Sequence, residues 1–158
     1  MPCSIRVEGL LSGRDADEVF DRIRDFERYA DHTDAVREVT VTADRAGTVD
    51  SAWAVNFRGG VLRWTERDVI DAAARTIAFE QLTGDFARFV GSWDVRPTGD
   101  RIAVLFSCEF DLGIPSLEPI INPVAMRALI DSIGRILRGL LGEGIELTSS
   151  HQDTAAVA

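Results

Sequence analysis

Residues 122–147 read NPVAMRALIDSIGRILRGLLGEGIEL, and this stretch decides the fold. Met126, Leu129, Ile130, Ile133, Ile136, Leu137, Leu140 and Leu141 recur at the i, i+3, i+4, i+7 spacing that gathers apolar side chains on one helix face. Arg127, Asp131, Arg135 and Arg138 fall on the opposite face. Asn122 is a suitable N-cap, and Pro123 suits the first helical position, where a missing N–H removes no hydrogen bond. Gly142 and Gly144 end the strongly helical part near Leu141, with a looser turn through Glu146. A long helix with one apolar stripe needs a sheet to cover it.

The preceding chain supplies that sheet. Ser4 to Leu11 reads as a strand, and Asp15 then caps a helix whose first turn is acidic, with Glu18 completing a capping box. Val19, Phe20, Ile23 and Phe26 form its apolar stripe, and the segment Tyr29 to Asp34 falls at a helix end and loop. Short strands follow at 36–43, 48–57, 61–71, 76–82, 86–96 and 101–112. The turns between them are short and rich in Gly, Asp and Pro, so the strands pair as sequential antiparallel hairpins. The predicted fold class is α+β: a curved antiparallel sheet of about seven strands around the C-terminal helix. If the curl is wide, a cavity remains between sheet and helix.

Composition narrows the function. The net charge of −9 repels phosphate backbones, which argues against a nucleic-acid partner. All 17 basic residues are arginine, so Schiff-base chemistry has no lysine to use. No window is long and apolar enough to span a membrane, and the N-terminus lacks a signal-peptide pattern, which predicts a cytoplasmic protein. Cys3 and Cys108 read as reduced, buried thiols in strands. With only His32 and His151 in the chain, a histidine-based metal site is not expected. No nucleophile elbow, phosphate-binding loop or dinucleotide fingerprint is present. The polar, small-residue run from Ser149 to Ala158 is expected to be a disordered tail, leaving residues 1–148 as the one domain.

Three segments carry a family likeness: Arg63-Trp64-Thr65-Glu66-Arg67, the run from Gly84 to Trp93, and Cys108-Glu109-Phe110-Asp111-Leu112. With the terminal helix, they resemble the polyketide cyclase/aromatase and coenzyme Q-binding-protein branch of the START-like superfamily, whose fold is the helix-grip (Bet v 1-like) fold. The likeness runs from Ser4 to about Glu146. It implies a cavity in which a cofactor-free cyclase folds a poly-carbonyl chain and promotes aldol condensation and dehydration in secondary-metabolite biosynthesis. The implied ligand is an apolar or poly-carbonyl small molecule, and the implied protein partner is an acyl carrier protein or polyketide synthase. The alternative is a non-catalytic carrier of a quinone, lipid or other apolar molecule on the same scaffold.

On the strand matching Val61 to Val69, the resembling cyclases have aromatic, aromatic, Ser/Thr and Arg pointing inward. The same positions here are Val61, Arg63, Thr65 and Arg67, so the resemblance implies Thr65 and Arg67 as catalytic residues, with Arg63 beside the substrate. An inward guanidinium can stabilise the oxyanion of an aldol step, given a carboxylate partner such as Glu109 or Asp111. Both faces of this strand are mixed in character, so the arginines also fit solvent-facing pairs with Glu80 or Asp94.

His32 is the acid/base available near neutral pH, although a loop histidine among polar residues is commonly just solvated. Tyr29 stands where the resembling cyclases carry an aromatic and has the hydroxyl to donate to a carbonyl. Trp53 and Phe57 on one strand, and Phe86, Phe89 and Trp93 on another, are candidate substrate-binding residues as well as core. Gly91 between the last two leaves space for a ligand or the helix. An exposed sheet edge allows a dimer, which nothing in the sequence specifies.

Overall fold

The structure, a computed structural model, describes residues 3–153. Its elements are β1 (Cys3–Ser12), α1 (Ala16–Arg24), α2 (Tyr29–His32), β2 (Val36–Arg45), β3 (Thr48–Phe57), β4 (Gly60–Asp71), β5 (Thr76–Gly84), β6 (Arg88–Thr98), β7 (Arg101–Asp111), α3 (Glu118–Leu141) and β8 (Glu146–Asp153). One antiparallel sheet runs β2-β3-β4-β5-β6-β7-β1-β8 and curls around α3, which is the helix-grip architecture. Register shifts in β2–β3 and at Thr65/Glu66 of β4–β5 help to bend the sheet.

The sheet has eight strands rather than seven, because the expected disordered tail is in part a strand. Residues 146–153 pair with β1, from Leu10↔Glu146 to Cys3↔Asp153. The prediction of disorder from composition is corrected here: an edge strand is held by main-chain hydrogen bonds, and the polar side chains at 146 and 148–152 remain in solvent. Residues 154–158 lie outside the described residues.

The grip helix also begins earlier than Asn122. α3 starts at Glu118 with Pro119 in its first turn, and Asn122 is buried within the helix rather than capping it. Pro123 lies inside the helix, where its absent N–H forfeits one bond near the N-terminal end. At the other end, Arg14 Nη1 donates to the Leu141 carbonyl at 2.9 Å and Arg22 Nη1 to the Leu140 carbonyl at 3.2 Å. Two terminal carbonyls without helical partners are thereby satisfied from α1 and the residue just before its cap. The N-cap of α1 is as expected, Asp15 Oδ2 accepting from the Glu18 N–H. The Glu18 carboxylate, however, pairs with Arg14 and Arg22 instead of closing a capping box.

The β3–β4 hairpin fixes the site. Arg58 and Gly59 sit at φ 51° and 80°, the pattern of a primed two-residue turn. The turn pairs Phe57 with Gly60 and therefore Trp53 with Trp64, Ser51 with Glu66 and Val49 with Asp68. Directly paired residues share a face, so the register that turns Trp53 inward also turns Trp64, Glu66 and Asp68 inward.

Candidate active site

The concave face of the sheet is aromatic. Trp53 and Trp64 stack at 5.8 Å with an interplanar angle of 3°, and Tyr29 meets Trp53 edge-on at 5.4 Å. Trp64 continues to Phe89 at 5.2 Å, and Phe86 stacks on Phe89 at 4.6 Å. Between these rings and Leu129, Ile133 and Ile136 of α3 lies a cavity of about 50 Å³. That is room for a water molecule or two, so a larger guest enters only if α3 and the sheet separate. The predicted substrate-lining residues Trp53, Phe89 and Trp93 border this cavity. Phe86 is buried behind Phe89, and Phe57 borders an outer groove. The space expected at Gly91 is already taken: a Cβ there would lie 2.7 Å from the Phe79 ring and 2.8 Å from the Cys108 Cβ.

One ionisable side chain borders this cavity besides Tyr29 and Cys108, and it is Glu66. The residue is 4% exposed, and Asp68, two positions along the same strand face, is fully buried. Trp64 Nε1–H donates to Glu66 Oε1 at 2.7 Å. Ser51 Oγ donates to Asp68 Oδ2 at 2.8 Å and itself accepts from Trp53 Nε1–H at 2.8 Å. Asp68 Oδ1 meets no nitrogen or hydroxyl donor, and the Glu66 carboxyl is the neighbouring acid on the same strand face that interacts with Asp68.

Burial is the main cause that raises Glu66 well above the ordinary carboxylate range, and the hydrogen bond and negative charge of Asp68 raise it further. Asp68 is also raised, by burial first, while its hydrogen bonds from Glu66 and Ser51 pull it back down. Burial and their mutual repulsion thus favour the neutral form of both carboxyls, with Glu66 the more strongly raised. This arrangement can present an acidic proton to a carbonyl or hydroxyl oxygen in the cavity.

The residues expected to perform that task lie elsewhere. Arg67 is on the convex face, its side chain 46% exposed and bidentate to Asp50 at 2.9 and 3.1 Å. Its anticipated inward position is therefore corrected. Thr65 shares that face and faces the Thr83 hydroxyl at 2.9 Å, and Arg63 is exposed. Glu109 pairs with Arg88 on the exterior, and Asp111 Oδ1 accepts from the Gly113 N–H, so neither reaches the cavity. Trp64, Glu66 and Asp68 occupy the inward positions instead. His32 is exposed at the end of α2.

Tyr29 is fully buried and borders the cavity as expected, but its hydroxyl proton is committed to the Ile23 carbonyl. Burial, with the Glu66 and Asp68 charges added, raises its pKa well above the usual phenol value, so it is a fixed neutral wall. Cys108 also borders the cavity, and burial raises its thiol far above the usual range, which removes thiolate chemistry.

Sequence reasoning missed Glu66 and Asp68. The signal was the two-residue turn, which sets the Trp53–Trp64 pairing and with it the face on which both acids lie.

Comparison with known proteins agrees with this architecture. A Thermus thermophilus protein superposes with a TM-score of 0.80 at 23% identity, over 87% of this chain and 93% of its own. An aromatase/cyclase from Streptomyces gives 0.69 at 19%, over 91% and 99%. A START superfamily protein from Mycobacterium smegmatis gives 0.70 at 18%, over 88% and 96%. At these identities the likeness is one of fold. No curated protein matches the chain by sequence. Residues 12–133 match the sequence model of the family described as polyketide cyclase / dehydrase and lipid transport, and the chain belongs to that family.

Proposed function

We propose that this protein is a cofactor-free cyclase, with dehydratase activity, acting on a polyketide or similar poly-carbonyl chain delivered by a polyketide synthase or its acyl carrier protein. The observation that carries this reading is the buried Glu66 carboxyl at the wall of an aromatic cavity, its pKa raised by that burial, with Asp68 behind it. Family membership and an aromatase/cyclase of the same fold support it.

The chemistry follows from one proton. As an enol carbon of the bound chain attacks a carbonyl carbon, Glu66 gives its proton to the carbonyl oxygen. The new C–C bond then leaves a hydroxyl rather than an alkoxide. The Glu66 carboxylate, steadied by the Trp64 N–H, takes the proton lost by the enol hydroxyl and is reset. In dehydration, Glu66 protonates the hydroxyl that leaves as water, and the resulting carboxylate accepts the proton released from the neighbouring carbon. The aromatic walls keep bulk water out and hold the chain folded, which accounts for much of the rate.

A carrier of a quinone or lipid would need the same walls but no acid. The two readings separate in a product profile by liquid chromatography and mass spectrometry, from a minimal polyketide synthase run with and without the protein. A new cyclised or dehydrated product supports the cyclase. An unchanged profile, together with an apolar molecule in organic extracts of the purified protein, supports the carrier.

A further inference from the structure

The acid pair leaves unexplained what lies outside the cavity. A groove of about 720 Å³ runs between the β3–β4 turn, the segment 34–37 and the outer half of α3, and Ser132 borders both this groove and the cavity. Its walls carry Arg37, Arg58, Arg127 and Arg135 against Asp34 and Asp131, a local positive surplus on a chain of net charge −9. Arg37 Nε donates to Asn56 Oδ1 at 2.8 Å, and Arg135 pairs with Asp131 at 3.1 Å. Arg58 and Arg127 have no ion pair or hydrogen bond among the described residues. The turn does not require an arginine at position 58, since Ala46 holds a similar left-handed conformation in the β2–β3 turn.

Two unpaired guanidinium groups on one groove are suited to a carboxylate or phosphate, which both bind in charge-assisted hydrogen bonds. The same groove has an apolar side in Phe57, Val124 and Ala128, leading toward Ser132. Its size is that of a small-molecule site.

We propose that this groove binds the carboxylate or phosphate end of an amphipathic ligand, with Arg58 and Arg127 on the anion and the apolar part directed past Ser132 into the cavity. This rests on the reading of the cavity as the ligand's seat. It adds to that reading a charge requirement: the guest carries an anion at one end.

The test compares binding of decanol, decanoate, decyl phosphate and inorganic phosphate, below any micelle concentration, by calorimetry and by tryptophan emission. Trp53 and Trp64 border the cavity and report entry of the chain. Both intact protein and the double variant Arg58→Ala/Arg127→Ala are used. The proposal predicts that one decyl anion binds about tenfold or more tighter than decanol at low salt. That preference shrinks at high salt and disappears in the double variant, whose decanol binding is unchanged. The tighter of the two anions identifies the headgroup as carboxylate or phosphate.

Equal binding of decanol and both anions, or a preference that survives in the double variant, overturns the proposal while the cavity reading stands. Inorganic phosphate binding as tightly as decyl phosphate overturns the amphipathic part. If no decyl compound binds or changes tryptophan emission, the cavity reading fails and takes this inference with it.

Discussion

At the scale of single residues, the proposed chemistry rests on two carboxyls buried side by side. Glu66 and Asp68 are both raised in the folded protein, so they bind more protons folded than unfolded. Their contribution to stability is fully present below the ordinary carboxylate range and is lost as pH rises through the raised folded values. Asp50 and Glu18 are lowered by their arginine partners, and that contribution is complete once pH exceeds the usual carboxylate range. Above about pH 5, the acid pair therefore dominates the slope among these carboxylates. Urea midpoints are expected to fall between pH 5 and pH 8, and Glu66→Gln to flatten that fall. A variant with the wild-type slope would contradict the raised pKa of Glu66. The aromatic lining by Trp53, Phe89 and Trp93 was legible in the sequence, because alternation along a strand exposes a face. The acid pair was not, because both faces of β4 mix charge with bulk. A family pattern read position by position favoured Thr65 and Arg67 over Trp64, Glu66 and Asp68.

At the scale of elements, the periodicity of residues 126–141 and the succession of hairpins were enough to give a sheet gripping a helix. The ends of elements were less legible. β8 was missed because edge pairing depends on backbone donors and acceptors rather than on apolar side chains, and the start of α3 was displaced by a capping-type residue that is in fact buried. Both elements make predictions. Ending the chain after Ile145 removes β8 and bares the β1 edge, so concentration-dependent association is expected in light scattering, where intact protein stays unchanged. A truncated chain that remains monodisperse at the same concentrations would show that β8 does not guard that edge. Gly139 brings α3 against α2: a Cβ there would sit 2.3 Å from the His32 carbonyl oxygen, which belongs to the backbone and cannot swing away. Gly139→Ala is expected to cost about 1–3 kcal/mol in urea unfolding, as overpacking does. A neutral result would mean that α2 shifts freely.

At the scale of the whole molecule, three parts line up: a groove with unpaired arginines, a small hydroxyl at Ser132, and an aromatic cavity with an acid at its wall. The cavity of about 50 Å³ is far below the size of a polyketide, so the proposed reaction requires the grip to open. The helix-grip topology allows this, since α3 closes the concave face of one continuous sheet and can withdraw without breaking a strand pair. No helix among the described residues is long and apolar enough to cross a membrane. The decisive experiment compares Glu66→Gln with Arg67→Ala in the product profile of a minimal polyketide synthase. Glutamine retains an acceptor for the Trp64 N–H and a donor for Asp68, so it removes the acidic proton with little change of shape. The account predicts that Glu66→Gln lowers formation of the cyclised or dehydrated product about 10²- to 10⁴-fold, while Arg67→Ala, altered on the convex face, turns over as the wild type does. Full activity in Glu66→Gln, or loss of activity in a folded Arg67→Ala, would contradict it.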